Sequence, residues 1–301
     1  MEYLTHSDDF LELDDLPQSI IFVGGGYISF EFAHIAARAG SDVHIIEGGD
    51  KALTGFDPTL VDLLVQKSKD IGVQIDLNTA VQAIEKTEDG YKVLAEKDDQ
   101  QLSWQSDLVI HGAGRIPNIQ QLDVKKGNIA SEKSGITVNE YLQSTSNPNV
   151  YAAGDVADTD GPPLTPVAGI EAKIVSENLL NGNKKQLTYT GIPSIAFTSP
   201  KIATVGMSEE KAKESNKKTK VAYSDTSDWF TNKHTNQNYG ATKIITDENS
   251  GQILGAHLLS DEADELINVL AMAIQLELTV DDLKKVTYAF PTAISDLPSM
   301  L

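Results

Sequence analysis

The 301-residue chain contains no cysteine. That excludes structural disulfides, thiolate metal sites and a cysteine nucleophile within this sequence, and it suits a cytoplasmic setting. Positive charge is scarce: 24 Lys and Arg stand against 44 Asp and Glu, for a net charge of -20 and a pI near 4.6. Such a surface repels phosphate backbones and anionic lipid, so neither nucleic acid nor a membrane is expected as a partner. Long apolar runs are also missing, residues 269–274 being far shorter than the roughly 20 residues of a membrane helix. The six histidines (His6, His34, His44, His111, His234 and His257) show no metal-ligand spacing and read as surface or packing residues, so no metal is expected. Residues 1–9 lack the basic-then-apolar order of a secretory signal and read as the middle of a longer protein behind a start methionine.

A hydrophobic share of 40% with 23% charged residues is ordinary for a globular protein of about two domains or a little more. Residues 20–23 are an apolar, β-branched run that stops at three glycines, as a buried strand ending in a tight turn does. Residues 27–39 carry small and apolar side chains at helical spacing, and residues 43–46 form the next strand. Strand, glycine turn, helix and strand make a βαβ unit and imply a parallel sheet. An amphipathic helix over 59–71, a strand over 72–77, a meander over 81–105 and a buried strand over 108–110 follow. Residues 136–156 read as strand and loop, and 170–180 as helix. Beyond a change of pattern near residue 185, five strand-like runs and two helices (208–215 and 263–276) indicate an α+β domain with an antiparallel sheet.

Gly24-Gly25-Gly26-Tyr27-Ile28-Ser29 fits the dinucleotide-binding pattern, with serine in the third small position. The first glycine permits the tight turn, the second lets the backbone approach a pyrophosphate, and the small third residue lets helix pack on strand. The helix N-terminus offers free N–H groups and partial positive charge to phosphates. Glu47 closes the next strand, where a carboxylate accepts hydrogen bonds from the adenosine ribose and repels a 2′-phosphate. NADH is therefore expected in preference to NADPH.

With these motifs in order, the chain resembles the family of glutathione reductase, dihydrolipoamide dehydrogenase and mercuric reductase. The likeness rests on residues 23–31, on Gly114-Arg115-Ile116-Pro117-Asn118, on Tyr151-Ala152-Ala153-Gly154-Asp155-Val156, on Leu164-Thr165-Pro166-Val167-Ala168, and on Phe197-Thr198-Ser199-Pro200 with Val205-Gly206. It implies an α/β Rossmann-type NAD(H)-binding domain (17–125) after a linker (1–16), part of an FAD-binding domain (126–187), and an α+β dimerisation domain (188–301) that forms a homodimer. It also implies roles. Tyr27 would cover the nicotinamide pocket, and Glu31 would lie near the flavin, paired with a lysine outside this sequence. Asp155, beside Gly154, would accept from the ribityl or phosphate region. The backbone around Val167 and Ala168, just after Thr165, would face the pyrimidine end of the ring.

Three departures follow from the same comparison. The flavin half with its own glycine turn is absent, and the redox cysteine pair belongs to that half. In the C-terminal signature Phe290 stands where the family has its histidine base, with Ser295 in place of a glutamate and Asp296 one position on. A phenyl ring takes no proton, so efficient reduction of a glutathione-like disulfide is not expected. Two readings remain open: a flavin-dependent oxidoreductase passing hydride from NADH to FAD and on to an unknown acceptor, or a non-catalytic module that binds NAD(H) and dimerises without holding FAD. The helix near 263–276 is apolar on more than one face, which suits either a subunit interface or a fully buried helix.

Overall fold

The computed structural model describes residues 3–301. Contacts gather the chain into two compact units, residues 1–114 with 193–301, and residues 115–192.

The first unit opens with helix α1 (Ser7–Leu11), whose Phe10 stacks on Phe32 at 4.3 Å. Strands β1 (Ser19–Val23), β2 (Asp42–Ile46) and β3 (Gln74–Asp76) alternate with helices α2 (Tyr27–Arg38) and α3 (Pro58–Asp70). A meander of β4 (Ala80–Thr87), β5 (Gly90–Lys97) and β6 (Gln100–Ser106) then returns the chain to β7 (Leu108–His111). The parallel sheet has the order β3-β2-β1-β7, and Ile20, Ile21 and Phe22 pair with both Val43–Ile45 and Leu108–Ile110. The inner strand β1 is apolar at Ile20, Ile21 and Phe22 because both faces are covered, whereas the edge strand β3 carries Gln74 and Asp76. Ile20 and Phe22 join a core with α2 and α3, while Ile21 joins Val93 and Trp104 of the meander. The strand expected over 72–77 is shorter, Gln74–Asp76. Helix α3 starts where Asp57 accepts from the Thr59 and Leu60 N–H groups, with Pro58 in the first turn, a strong N-terminal signal.

The C-terminal part of this unit is an antiparallel sheet of order β11-β12-β15-β14-β13. Its members are β11 (Ser194–Ala196), β12 (Lys201–Gly206), β13 (Thr219–Asp225), β14 (Ala241–Asp247) and β15 (Ile253–Ser260). Ala196, Ile202, Ala241 and Leu259 share a core with α2, α3 and β1, so the two helices lie between the sheets. The helix expected over 263–276 runs Ala263–Gln275, and Leu266, Ile267, Leu270, Ala273 and Ile274 are buried within the chain. Burial therefore explains most of its apolar surface, and Met272 remains exposed.

His34 ties α2 to the segment between β11 and β12. Ser68 Oγ spends its proton on the Leu64 carbonyl at 2.7 Å. It must accept from His34 Nε2 at 2.9 Å, which leaves Nδ1 to accept the Ser199 N–H at 3.2 Å. Only the neutral ring satisfies both bonds. Burial, followed by the charges of Arg38 and Lys67, lowers the His34 pKa to about 4. The unfolded ring binds a proton near pH 6.5, as a free imidazole does, and the folded one does so only near its own lowered value. His34 stability is thus complete above about pH 6.5 and falls as pH drops toward the folded value. The unfolding free energy from urea titration should fall between pH 6.5 and 5, by about 1.5 kcal/mol for this group, and His34→Gln should flatten that stretch. An equally steep slope in the variant would rule out His34 as its source.

The second unit contains short strands β8 (Ser131–Glu132), β9 (Gly135–Thr137) and β10 (Ala157–Asp158), paired in the order β10-β9-β8. Its helix α4 (Thr165–Asn181) begins before the expected residue 170, because Pro166 fits a first helical turn. Asn178 is buried and uses its whole amide, donating to Tyr141 and Lys185 carbonyls and accepting from the Lys184 and Lys185 N–H groups.

Candidate dinucleotide-binding site

The glycine turn lies at the carboxyl end of β1, in the crevice where parallel sheets bind ligands. Gly24 has φ +104, and a Cβ there would come within 2.5 Å of the Ala113 backbone. Gly25 faces Glu47, whose carboxylate accepts from the Gly25 N–H at 2.5 Å and the Gly49 N–H at 2.6 Å. Gly26 caps α2 in an extended conformation with no side-chain cap. The first-turn N–H groups of Tyr27 and Ile28 are therefore open to an anion. Ser29 is fully buried, and a side chain on Gly112 would overlap its hydroxyl. The third small position thus packs helix onto the end of β7, and Gly112 is its partner, a residue the motif alone did not mark.

Tyr27 and Glu31 lie one turn apart on α2, and Tyr27 is 46% exposed. Glu31 is half-buried and accepts the Phe197 N–H at 2.8 Å. Burial raises its pKa, opposed by that bond, and among the described residues no cation pairs with it.

Within the second unit, a cavity of about 210 Å³ is lined by Gly154, Asp155, Leu164, Val167, Ala168 and Glu171, among others. Gly154 has φ +71 and a Cβ there would stand 3.0 Å from Ala168 Cβ, so the loop lies close against the start of α4. Asp155 is exposed at its rim and Val167 is buried, while Thr165, the first residue of α4, is exposed. The concavity, the tight glycine and the open N-terminus of α4 fit the ring end of a flavin. A second phosphate-binding glycine turn is not in the sequence. Gly114 (φ +106) ends the first unit with open space around it, and Arg115 is exposed at the start of the second. Phe290 is 80% exposed and lies 6.4 Å from the Phe230 ring. Ser295 is spent on Thr292 at 2.6 Å and Asp296 accepts from Thr231 at 2.6 Å. Among the described residues no group of acidic or histidine side chains could hold a metal ion, and no helix is long and apolar enough to cross a membrane.

Comparison with known families matches residues 3–172 to the pyridine nucleotide-disulphide oxidoreductase profile. The chain belongs to this family. Residues 192–300 match the dimerisation domain of the same family, whose members depend on FAD and NAD(P). Dihydrolipoyl dehydrogenase of Bacillus subtilis is 31% identical over 292 residues, covering 97% of this chain and 62% of that enzyme. An uncharacterized 19.7 kDa protein in the mercuric resistance operon of Staphylococcus aureus is 55% identical over 180 residues, 60% of this chain and all of that protein. Among solved structures, the HOCl-induced flavoprotein disulfide reductase of Escherichia coli superposes with a TM-score of 0.87 at 29% identity, covering 99% of this chain and 67% of that one. The family likeness read from the motifs, and the α/β fold with its appended α+β domain, therefore both hold. The chain spans under two thirds of the Bacillus enzyme's length.

Proposed function

We propose that this chain carries the NADH side of a flavin-dependent NAD(P)H:acceptor oxidoreductase. The assembled turn carries this reading, because Glu47 already stands against Gly25 at the mouth of an uncapped helix. Gly24, Gly25, Gly26 and the N–H groups of Tyr27 and Ile28 would frame the pyrophosphate. Each Glu47 oxygen keeps a lone pair for a ribose hydroxyl after serving Gly25 and Gly49, and its charge disfavours NADPH. The Tyr27 ring, exposed at the first turn of α2, would cover the nicotinamide pocket. Glu31, on α2 and accepting the Phe197 N–H, would stand near the flavin. Gly154, Asp155, Thr165, Val167 and Ala168 would hold the flavin end, with Gly114 and Arg115 on the adjoining family motif. FAD, when bound, supplies a two-electron acceptor for the nicotinamide hydride. Phe290 offers no base for thiol chemistry, so the acceptor is a small oxidant such as a quinone or oxygen rather than a glutathione-like disulfide. A cytoplasmic homodimer built through residues 188–301 completes the proposal.

The single glycine turn favours a second reading, in which the chain alone binds NAD(H) and dimerises without retaining FAD. Absorbance spectra of the purified chain, with FAD added and then removed, separate the two: flavin that stays and bleaches with NADH supports the enzyme. In either case NADH titration should saturate, and Glu47→Ala should weaken NADH at least roughly tenfold, about 1.4 kcal/mol, while narrowing its advantage over NADPH. Unchanged NADH affinity in that variant would remove Glu47 from the site.

A further inference from the structure

We infer that Glu171 is a positioning residue that sets the segment of residues 154–163, the strand Ala157–Asp158 with its flanking turns, on the flavin side, an inference that rests on reading that cavity as flavin-facing. Glu171 lies on α4, is 1% exposed and lines the cavity. Its carboxylate gathers three donors, the Gly154 N–H at 2.6 Å, the Thr159 hydroxyl at 3.1 Å and the Tyr189 hydroxyl at 2.5 Å. These donors come from one end of that segment, from its middle and from the residues after α4. Thr159 extends the chain of bonds, since its oxygen accepts the Gly161 N–H at 3.3 Å while its proton goes to Glu171. Tyr189 closes the other side, for a Cβ on Gly161 would come within 2.5 Å of its ring. Burial first, and then the bond to Glu171, pushes the Tyr189 phenol up to about 12, so the phenol remains a donor.

Among the described residues no cation pairs with Glu171, so its charge is balanced by donor dipoles alone. A buried carboxylate is costly unless each such bond is made. The arrangement therefore demands one conformation of the segment, and that conformation fixes the backbone at Gly154, next to Asp155. Glutamine has the same shape but exchanges an acceptor oxygen for a donor NH2. At least one of Gly154, Thr159 and Tyr189 then loses its acceptor. Tyr189→Phe keeps the ring against Gly161 and removes one donor.

Hydrogen exchange of the purified chain, read by mass spectrometry on peptides covering residues 153–163, tests the clamp without cofactor. Glu171→Gln should speed exchange there at least tenfold and Tyr189→Phe less, with peptides of β14 and β15 and the NADH affinity of the first unit unchanged. FAD titration by fluorescence quenching should show at least a tenfold loss of affinity in Glu171→Gln. Wild-type exchange in that variant overturns the assignment. A loosened segment with unchanged FAD affinity overturns the positioning role and leaves a structural carboxylate. A wild-type chain that takes up no FAD counts against the flavin reading of the cavity, and the exchange rates alone then decide the clamp.

Discussion

Lys243→Met is expected to destabilise the folded chain by about 3–5 kcal/mol, the cost of stripping a buried ion pair of one partner. Lys243 lies on β14 and is 3% exposed. Its ammonium meets Asp57 at 2.8 Å, Glu209 at 2.7 Å and the Thr59 hydroxyl at 3.0 Å. Burial pushes the Lys243 pKa down, but the bonds to Asp57 and Glu209 outweigh it and the net shift is upward. Glu209, bonded first to Lys213 and then to Lys243, is held at about 2. Glu209 is partly exposed and can turn to Lys213 or to water when the lysine is lost. Asp57 cannot, because its side chain is 1% exposed and one oxygen caps α3. The stranded Asp57 charge therefore dominates the cost. Adding Asp57→Asn keeps an N-cap acceptor and removes that charge, so the double variant should regain more than half the loss. Urea unfolding followed by circular dichroism measures both. A Lys243→Met midpoint matching wild type would show that the pair contributes nothing, and additive losses would show that the two residues act independently.

The elements with strong local signals were legible in the sequence, and the tertiary bonds were not. β1, α2 and β2 announce themselves through an apolar run, three glycines and a 3.6-residue period, and they appear within a residue or so of their expected bounds. The short helix Val280–Lys284, with its Thr279–Asp282 capping box, has too few residues to show a period. Family motifs marked Gly154 and Asp155 but not Glu171, whose signal is faint: a carboxylate four positions after buried Val167 and seven before buried Asn178, on the inward stripe of α4. Lys243 carried no signal at all. A lysine in an otherwise apolar strand is read as an edge or a surface residue until its partners, 186 and 34 positions away (243 − 57 and 243 − 209), are brought to it by the fold.

Gly26→Val is expected to weaken NADH binding at least a hundredfold, about 2.7 kcal/mol, while the chain still folds. The contrast with Gly24 makes this a test of function rather than of stability. Gly24 has φ +104, which L side chains rarely adopt, and a Cβ there would strike the Ala113 backbone at 2.5 Å. The fold itself requires that glycine, so Gly24→Val should lose stability and NADH together. Gly26 has φ -81 and ψ 178, open to any residue. The nearest atom to a Cβ there is the Gly112 carbonyl oxygen at 3.3 Å, which must give by only a few tenths of an ångström. Valine is a poorer N-cap than glycine, a cost of about 1 kcal/mol at most in stability. Nothing else in the protein demands glycine at position 26. What would demand it is the pyrophosphate of the proposed dinucleotide, which must approach the turn more closely than a side chain allows. Isothermal titration with NADH, beside a thermal melt of each variant, separates the two glycines. A folded Gly26→Val that binds NADH as wild type would place the pyrophosphate elsewhere, and a Gly26→Val that fails to fold would mean that the turn tolerates less than its geometry indicates.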